Sequence, residues 1–267
     1  YDSDSILMLD RVPRSLAVLG GGVAGSEYTS AFAALGVHVT MADSRDRVMP
    51  FLDAELSHEL ERLWTEFGVE IKHNTRVTKV EPGDRDVLLA LSDGSRLVAE
   101  KVLVAAGRIG NTESLDLANA GIQADERGYL KVNQHFQTAV PHIYAAGDLS
   151  GKLPLSSVAS MQGRKIAEHA MGQHGGVHHR HLDYDKAASA IFTVPEIADV
   201  GLAEADAFAE GRKIRVTKVP FSANAKALID NDPRGFVKIV SDPYTGVVLG
   251  GSIVGRHAAE LISVIAV

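Results

Sequence analysis

The stretch LAVLGGGVAGSEY, Leu16 to Tyr28, constrains the fold of this chain more than any other. Four apolar residues run straight into glycines, and a helical pattern follows. Gly20, Gly22 and Gly25 spell G-x-G-x-x-G. Glycines cluster in many ligand-free turns, so the spacing alone says little. Its context says more: a buried strand before it, a helix from about Val23 to Leu35 after it, and a second strand, VHVTMAD (Val37–Asp43), next. That context makes it a dinucleotide-binding turn. Gly20 allows the tight bend, Gly22 lets the backbone approach a pyrophosphate, and Gly25 lets helix and strand pack closely. The start of the helix, at Val23 and Ala24, offers free N–H groups and a partial positive charge to the phosphates.

Asp43 ends the second strand, eighteen residues after Gly25. An acid there hydrogen-bonds the adenosine ribose and repels a 2′-phosphate, which favours NAD. Ser44, Arg45 and Arg47 follow at once, and an arginine in this loop can instead clamp a 2′-phosphate. The alternative for both arginines is a solvated loop. The expectation is NAD over NADP, or both.

Around this unit the pattern reads β-α-β-α-β, then a short antiparallel piece, then a final buried strand KVLVAAG. Asp53 suits the N-cap of the second helix, where Leu56, Leu60, Leu63 and Phe67 recur at helical spacing. The fold class expected is α/β: a Rossmann-like, doubly wound NAD(P)-binding domain over 1–110. Residues 111–172 show a strand pair (GYLKV and HIYAAGD) and a helix near Leu155–Met171. From 173 a Gly- and His-rich linker leads into an α+β unit with an antiparallel sheet, which ends in a helix over 256–267.

With 267 residues and 45% apolar content, the chain can build these cores. A net charge of -7 argues against nucleic acid as a partner. The absence of cysteine excludes a disulfide, a thiolate nucleophile or a Cys-based metal site within these residues. No apolar run reaches membrane-spanning length and no leader is visible, so a cytoplasmic setting is expected. The chain starts at Tyr1 and stops on a bare apolar helix, and is expected to be a piece of a longer one.

TAVPHIYAAGD (Thr138–Asp148) resembles the second FAD motif of the pyridine nucleotide–disulfide oxidoreductase family of flavoproteins. GGGVAGSEY, VLVAAGRIGN (Val102–Asn111), LPLSSVASMQGR and FTVPEIADVG (Phe192–Gly201) each resemble that family at the matching place and in its order. The resemblance covers nearly the whole chain. It implies an NAD(P) domain, a small central FAD segment (111–172) and a dimerisation domain (173–267), in a homodimer using FAD and NAD(P). It places Gly20, Gly22, Gly25 and Asp43 on the nicotinamide dinucleotide, and Gly107 beside its cleft. Glu27 would lie near nicotinamide and flavin, as the catalytic candidate. Asp148 would accept a hydrogen bond from the ribityl chain, its other reading being a turn carboxylate. The backbone of Val158 and Ala159, at a helix start, would face the flavin pyrimidine edge. The reaction implied is hydride transfer between nicotinamide and flavin, with the electrons passed to a second nicotinamide, a quinone or a disulfide.

Departures matter too. The family's first FAD fingerprint, its cysteine pair and its C-terminal His-Glu pair are not in this chain. The chain alone is therefore expected to bind FAD poorly and to be inactive. SSVASMQG lacks the Ala-His pattern of lipoamide dehydrogenases; with YDSDSIL, it is similar to the transhydrogenase and quinone-reductase branches. A contrasting function is an NAD-binding sensor or assembly module without flavin. His174, His178, His179 and His181 read as a solvated linker rather than a metal site. No tyrosine has lysine four residues on, which excludes the short-chain dehydrogenase motif. His257 and Glu260 read as helix neighbours, not an acid–base pair.

Overall fold

The computed structural model describes residues 1–173 and 181–266. The chain forms two compact units: residues 1–107 together with 188–267, and residues 108–187.

In the first unit, β1 (Ser15–Leu19), β2 (His38–Ala42), β3 (Glu70–Lys72) and β7 (Lys101–Val104) form a parallel sheet in the order β3-β2-β1-β7. The α1 helix (Val23–Ala34) joins β1 to β2, and α2 (Ala54–Glu66) joins β2 to β3. Alternation along β1 explains the layers. Leu16 and Val18 point into a core with Phe32, Met41, Leu56, Leu60 and Trp64. Ala17 and Leu19 point the other way, onto Leu89, Leu91 and Ala99. Those residues belong to an antiparallel meander of β4 (Val77–Pro82), β5 (Val87–Leu91) and β6 (Arg96–Ala99). The second face of the sheet is thus covered by strands rather than by helices. Asp53 caps α2 as expected, accepting from the Glu55 N–H at 2.9 Å.

Glu100, at the β6–β7 junction, is almost fully buried, its side chain 3% exposed. Its carboxylate accepts from the Arg14 N–H at 3.0 Å and from the Arg11 guanidinium. The Arg14 N–H, opposed by burial and helped by Arg11, holds its pKa at about 2 instead of 4.5. A depressed folded-state pKa gives stability that is present above the unfolded value and lost as pH falls through the folded one. Glu100→Gln should therefore flatten the loss of stability between about pH 4.5 and 2. Denaturant midpoints measured across that window check this. Identical acid limbs for both proteins would contradict it.

The same unit holds a second, antiparallel sheet. β8 (Ser189–Ile191), β9 (Ile197–Gly201), β10 (Arg215–Pro220), β11 (Phe236–Ser241) and β12 (Val248–Val254) lie in the order β10-β11-β12-β9-β8. One face carries Ile191, Ile197, Phe236 and Val254 into the α2-side core. The other carries Ala198, Val200 and Ile253 onto Ala258 and Ile262. The expected final helix over 256–267 is shorter. His257 takes a left-handed φ of 64°, so the last helix, α4, spans only Ala258–Leu261 before a 3-10 turn at Ile262–Val264.

In the second unit, the expected strand pair is reduced to isolated bridges, Ala124 with Leu130 and Gln137 with Tyr144. Ile122, Leu130 and Ala145 make a small core, and the backbone groups are satisfied largely by turns. α3 (Ser156–Ala170) follows as expected. His174, His178 and His179 lie outside the described residues. The His181 ring lies 5.3 Å from the His135 ring, and no group of three or more ligand-type side chains among the described residues is placed to hold a metal.

Candidate functional site

Each glycine of the turn has a different physical reason to be glycine. Gly20 sits at φ +108°, where a side chain is strained, and a Cβ there would meet the Ala105 carbonyl oxygen at 2.5 Å. At Gly25 a Cβ would lie 1.9 Å from the Gly20 carbonyl oxygen, because α1 packs directly on the turn. A Cβ on Gly22 would meet nothing within 4 Å among the described residues. Packing therefore explains the first and third glycines and leaves the second unexplained. Open space at Gly22 is what a pyrophosphate approaching the backbone requires.

Gly22 is also the N-cap of α1, and no side chain caps the helix among the described residues. The first intrahelical bond is Ser26 N–H to the Gly22 carbonyl, at 2.9 Å. The N–H groups of Val23, Ala24 and Gly25 thus have no partner in the helix and point toward its positive end. Gly107, at φ +119°, likewise has nothing among the described residues within 4 Å of where a Cβ would stand.

Glu27 lies one turn into α1, half-buried, and its carboxylate accepts the Phe192 N–H at 2.9 Å. That bond fixes the side chain by a contact 165 residues away in sequence.

Asp43 is buried at the end of β2, and Ser44 beside it is exposed. Its carboxylate receives four donors: the Gly21 N–H, the Arg45 N–H at 2.8 Å, Arg45 Nε at 2.8 Å and Arg45 Nη2 at 2.5 Å. Burial pushes its pKa up, but the Arg45 side chain and the two N–H groups outweigh burial and hold it below the usual carboxylate value. Neither arginine is a freely solvated loop residue. Arg45 pairs with Asp43, and Arg47 Nη2 donates to the Pro50 carbonyl at 2.9 Å.

Asp148 and α3 belong to the second unit. Asp148 lies in a 3-10 turn, Gly147–Ser150, with its side chain half exposed and Arg108 Nη1 at 3.6 Å. Gln162, fully buried on α3, accepts the Gly147 N–H at 2.6 Å and donates to the Tyr184 hydroxyl at 2.9 Å. It ties that turn to the helix and was not singled out from sequence. A buried glutamine on the inner side of an otherwise apolar helix face is the signal that could have marked it. α3 also starts without a side-chain cap among the described residues. The Ala159 N–H is already bonded to the Leu155 carbonyl at 2.9 Å, so Val158, with Ser156 and Ser157, carries the free donors.

His257 and Glu260 are exposed neighbours 3.9 Å apart. A buried lysine, Lys238, was also not singled out from sequence. Its Nζ lies 2.8 Å from Asp53 and 3.0 Å from Glu55, and it also contacts Glu204. Its signal was available: in GFVKIVSD it alternates in step with Phe236 and Val240, on the buried side of β11.

The model of the pyridine nucleotide-disulphide oxidoreductase family matches residues 1–163, and that family's dimerisation domain matches residues 187–267. The chain is 42% identical over 264 residues to the soluble pyridine nucleotide transhydrogenases of Klebsiella pneumoniae and Citrobacter koseri. It is covered to 99% by each match but spans only 56% of those relatives' length. Among solved structures it is similar to LpdA from Mycobacterium tuberculosis, with TM-score 0.91, 38% identity, and coverage of 99% of this chain and 57% of that one. It is also similar to the HOCl-induced flavoprotein disulfide reductase RclA from Escherichia coli, with TM-score 0.92, 29% identity and 100% and 60% coverage. No helix among the described residues is long and apolar enough to cross a membrane.

Proposed function

We propose, given that the chain belongs to the pyridine nucleotide-disulphide oxidoreductase family, that it carries the nicotinamide half of an FAD-dependent NAD(P)H oxidoreductase. The observation that carries this reading is the Gly22 position, a glycine with no packing reason at an uncapped helix start.

The residues fit the two cofactors. The N–H groups of Val23, Ala24 and Gly25 bind the pyrophosphate of the pyridine nucleotide across the Gly22 opening. Glu27, held by the Phe192 N–H, is fixed on the helix that leads away from that site. Asp148 offers a partly solvated carboxylate to the flavin's ribityl hydroxyls, and Gln162 holds the turn that carries it. The free Val158 N–H would donate to the flavin's pyrimidine edge, where a helix N-terminus stabilises negative charge. The bound cofactors supply hydride transfer between the nicotinamide C4 and the flavin N5. The acceptor of the electrons would be a second pyridine nucleotide, as the name of the 42%-identical relatives suggests, a quinone or a disulfide. The match to a dimerisation domain supports a homodimer assembled through residues 187–267.

An anaerobic NADH titration of the flavin-loaded product of the intact gene tests this. Loss of the flavin's visible absorption is expected. A protein that binds NADH yet takes up no flavin, or whose flavin is never reduced, would overturn it in favour of a flavin-free binding module.

A further inference from the structure

Both backbone polar groups of Gly21, inside the glycine turn, are held by one loop, the connection from β2 to α2. The Gly21 N–H donates to the Asp43 carboxylate, where the loop leaves β2. The Gly21 carbonyl accepts the Met49 N–H at 2.9 Å, further along the same loop. That second bond fixes more than a carbonyl. The oxygen of Gly21 and the N–H of Gly22 belong to one planar trans peptide and point in opposite directions. With the oxygen turned onto Met49, the Gly22 N–H is turned away from the loop, and it has no backbone partner among the described residues. Rotation of this peptide would put a carbonyl oxygen where that donor stands, and the oxygen would repel a phosphate.

Met49 has to be kept in place. It takes a left-handed φ of 44°, a conformation that a residue other than glycine adopts only where its surroundings enforce it. Its carbonyl is tied by the Leu52 N–H at 3.0 Å and the Ser57 hydroxyl at 3.3 Å. The residue before it depends on Glu61, on α2, whose Oε1 accepts the Val48 N–H at 2.8 Å. Val48 and Met49 are both fully buried, so without Glu61 this N–H would be left in the core with no acceptor. The other oxygen of Glu61 lies 3.4 Å from His73 Nε2, just past β3. The next residue there, Asn74, donates its N–H to the Arg45 carbonyl at 3.0 Å, near the start of the loop. Glu61 therefore braces the loop from α2 and from the end of β3.

We infer that Glu61 is a positioning residue of the pyrophosphate subsite: by accepting the Val48 N–H it keeps the Met49 N–H on the Gly21 carbonyl, and so keeps the Gly22 N–H available to the dinucleotide. The inference rests on the dinucleotide-site reading above. The task needs an acceptor rather than a charge, and the amide oxygen of a glutamine accepts the same bond. The contact with His73 adds little, since the His73 and Glu61 side chains are 29% and 16% exposed and water screens the pair.

Two measurements on the flavin-loaded product of the intact gene test it. One is calorimetric titration with ADP-ribose, which carries the pyrophosphate and no hydride. The other is the limiting rate of flavin reduction at saturating NADH without oxygen. Glu61→Ala should weaken ADP-ribose about tenfold, because molecules whose loop has left Gly21 bind only after it returns. Its limiting rate should stay within about twofold, since saturating NADH refills the placed state and the hydride step is unchanged. Glu61→Gln, with its acceptor in place, should bind ADP-ribose within about threefold of the unmodified protein. If Glu61→Ala fails to fold, Glu61→Asp decides: it keeps the charge but is one methylene too short to reach Val48, so it should weaken ADP-ribose as well. An affinity in Glu61→Ala within about twofold of the unmodified protein overturns the inference. So does a Glu61→Gln that behaves like Glu61→Ala, or a limiting rate that falls as far as the affinity, which marks a protein loosened throughout. Those outcomes leave the dinucleotide reading standing. An unmodified protein that binds neither ADP-ribose nor NADH removes both.

Discussion

Lys238→Met lowers the stability of the first unit by about 3 kcal/mol, the lower end of the cost of leaving a buried charge without its partner. The lysine's side chain is 2% exposed, and Asp53, its most buried partner, is 4% exposed. Methionine matches the stem in volume but removes the ammonium, so Asp53 is left charged and buried. Glu55 and Glu204 reach water and can relax, which keeps the cost from the upper end. The three carboxylates outweigh burial and raise the lysine's pKa above its ordinary value. A raised folded-state pKa means this stabilisation is complete below the lysine's ordinary pKa and lost only in strong alkali. Chemical denaturation of the variant at neutral pH checks the size. A loss under about 1 kcal/mol would show that the cluster is solvated rather than buried. Asp53 also caps α2 and Lys238 sits on β11, so the ion pair joins the parallel-sheet layer to the antiparallel sheet within one unit. Lys238→Met should therefore loosen that junction before it affects the glycine turn.

Gly25→Ala has a comparable effect by another route. The new methyl group would stand 1.9 Å from the Gly20 carbonyl oxygen, well inside van der Waals contact. Both atoms in the clash are fixed to backbone, so α1 must lift from β1 or the turn must open. Overpacking of this kind costs about 1–3 kcal/mol, and backbone-to-backbone clashes belong at the top of that range. Thermal unfolding should show a lowered midpoint, together with weakened dinucleotide binding. An unaltered midpoint would mean that helix and turn have slack the geometry does not show.

The β1-α1-β2 unit and its glycines were legible in the sequence because every signal is local: an apolar run, a turn, then a helical period. The N-cap at Asp53 was legible for the same reason. The strand pair expected in 111–172 was less so. Around Leu130 and Tyr144 the apolar alternation is real, but it is too short to form ladders, and turns at Asn133, Thr138 and Asp125 satisfy the backbone instead. Asp43 was found from its position. That its carboxylate is saturated follows from the side-chain torsions of a residue two places on, which no periodicity encodes. Lys238 and Glu27 depend on partners 185 and 165 residues away, and such contacts exist only once the chain has folded.

On the proposed function, the opening at Gly22 is kept for a dinucleotide's phosphates. The most direct measurement is an NADH binding isotherm for Gly22→Val beside that of the unmodified protein, with thermal unfolding of both. A Cβ at this position meets nothing within 4 Å among the described residues, and the backbone φ of -80° suits any residue. The fold should lose less than about 1 kcal/mol, the difference between a fair and a poor helix N-cap. NADH affinity should fall about a hundredfold as the side chain enters the phosphate's space and removes charge-assisted hydrogen bonds. A variant that keeps both its unfolding midpoint and its NADH affinity would contradict the account.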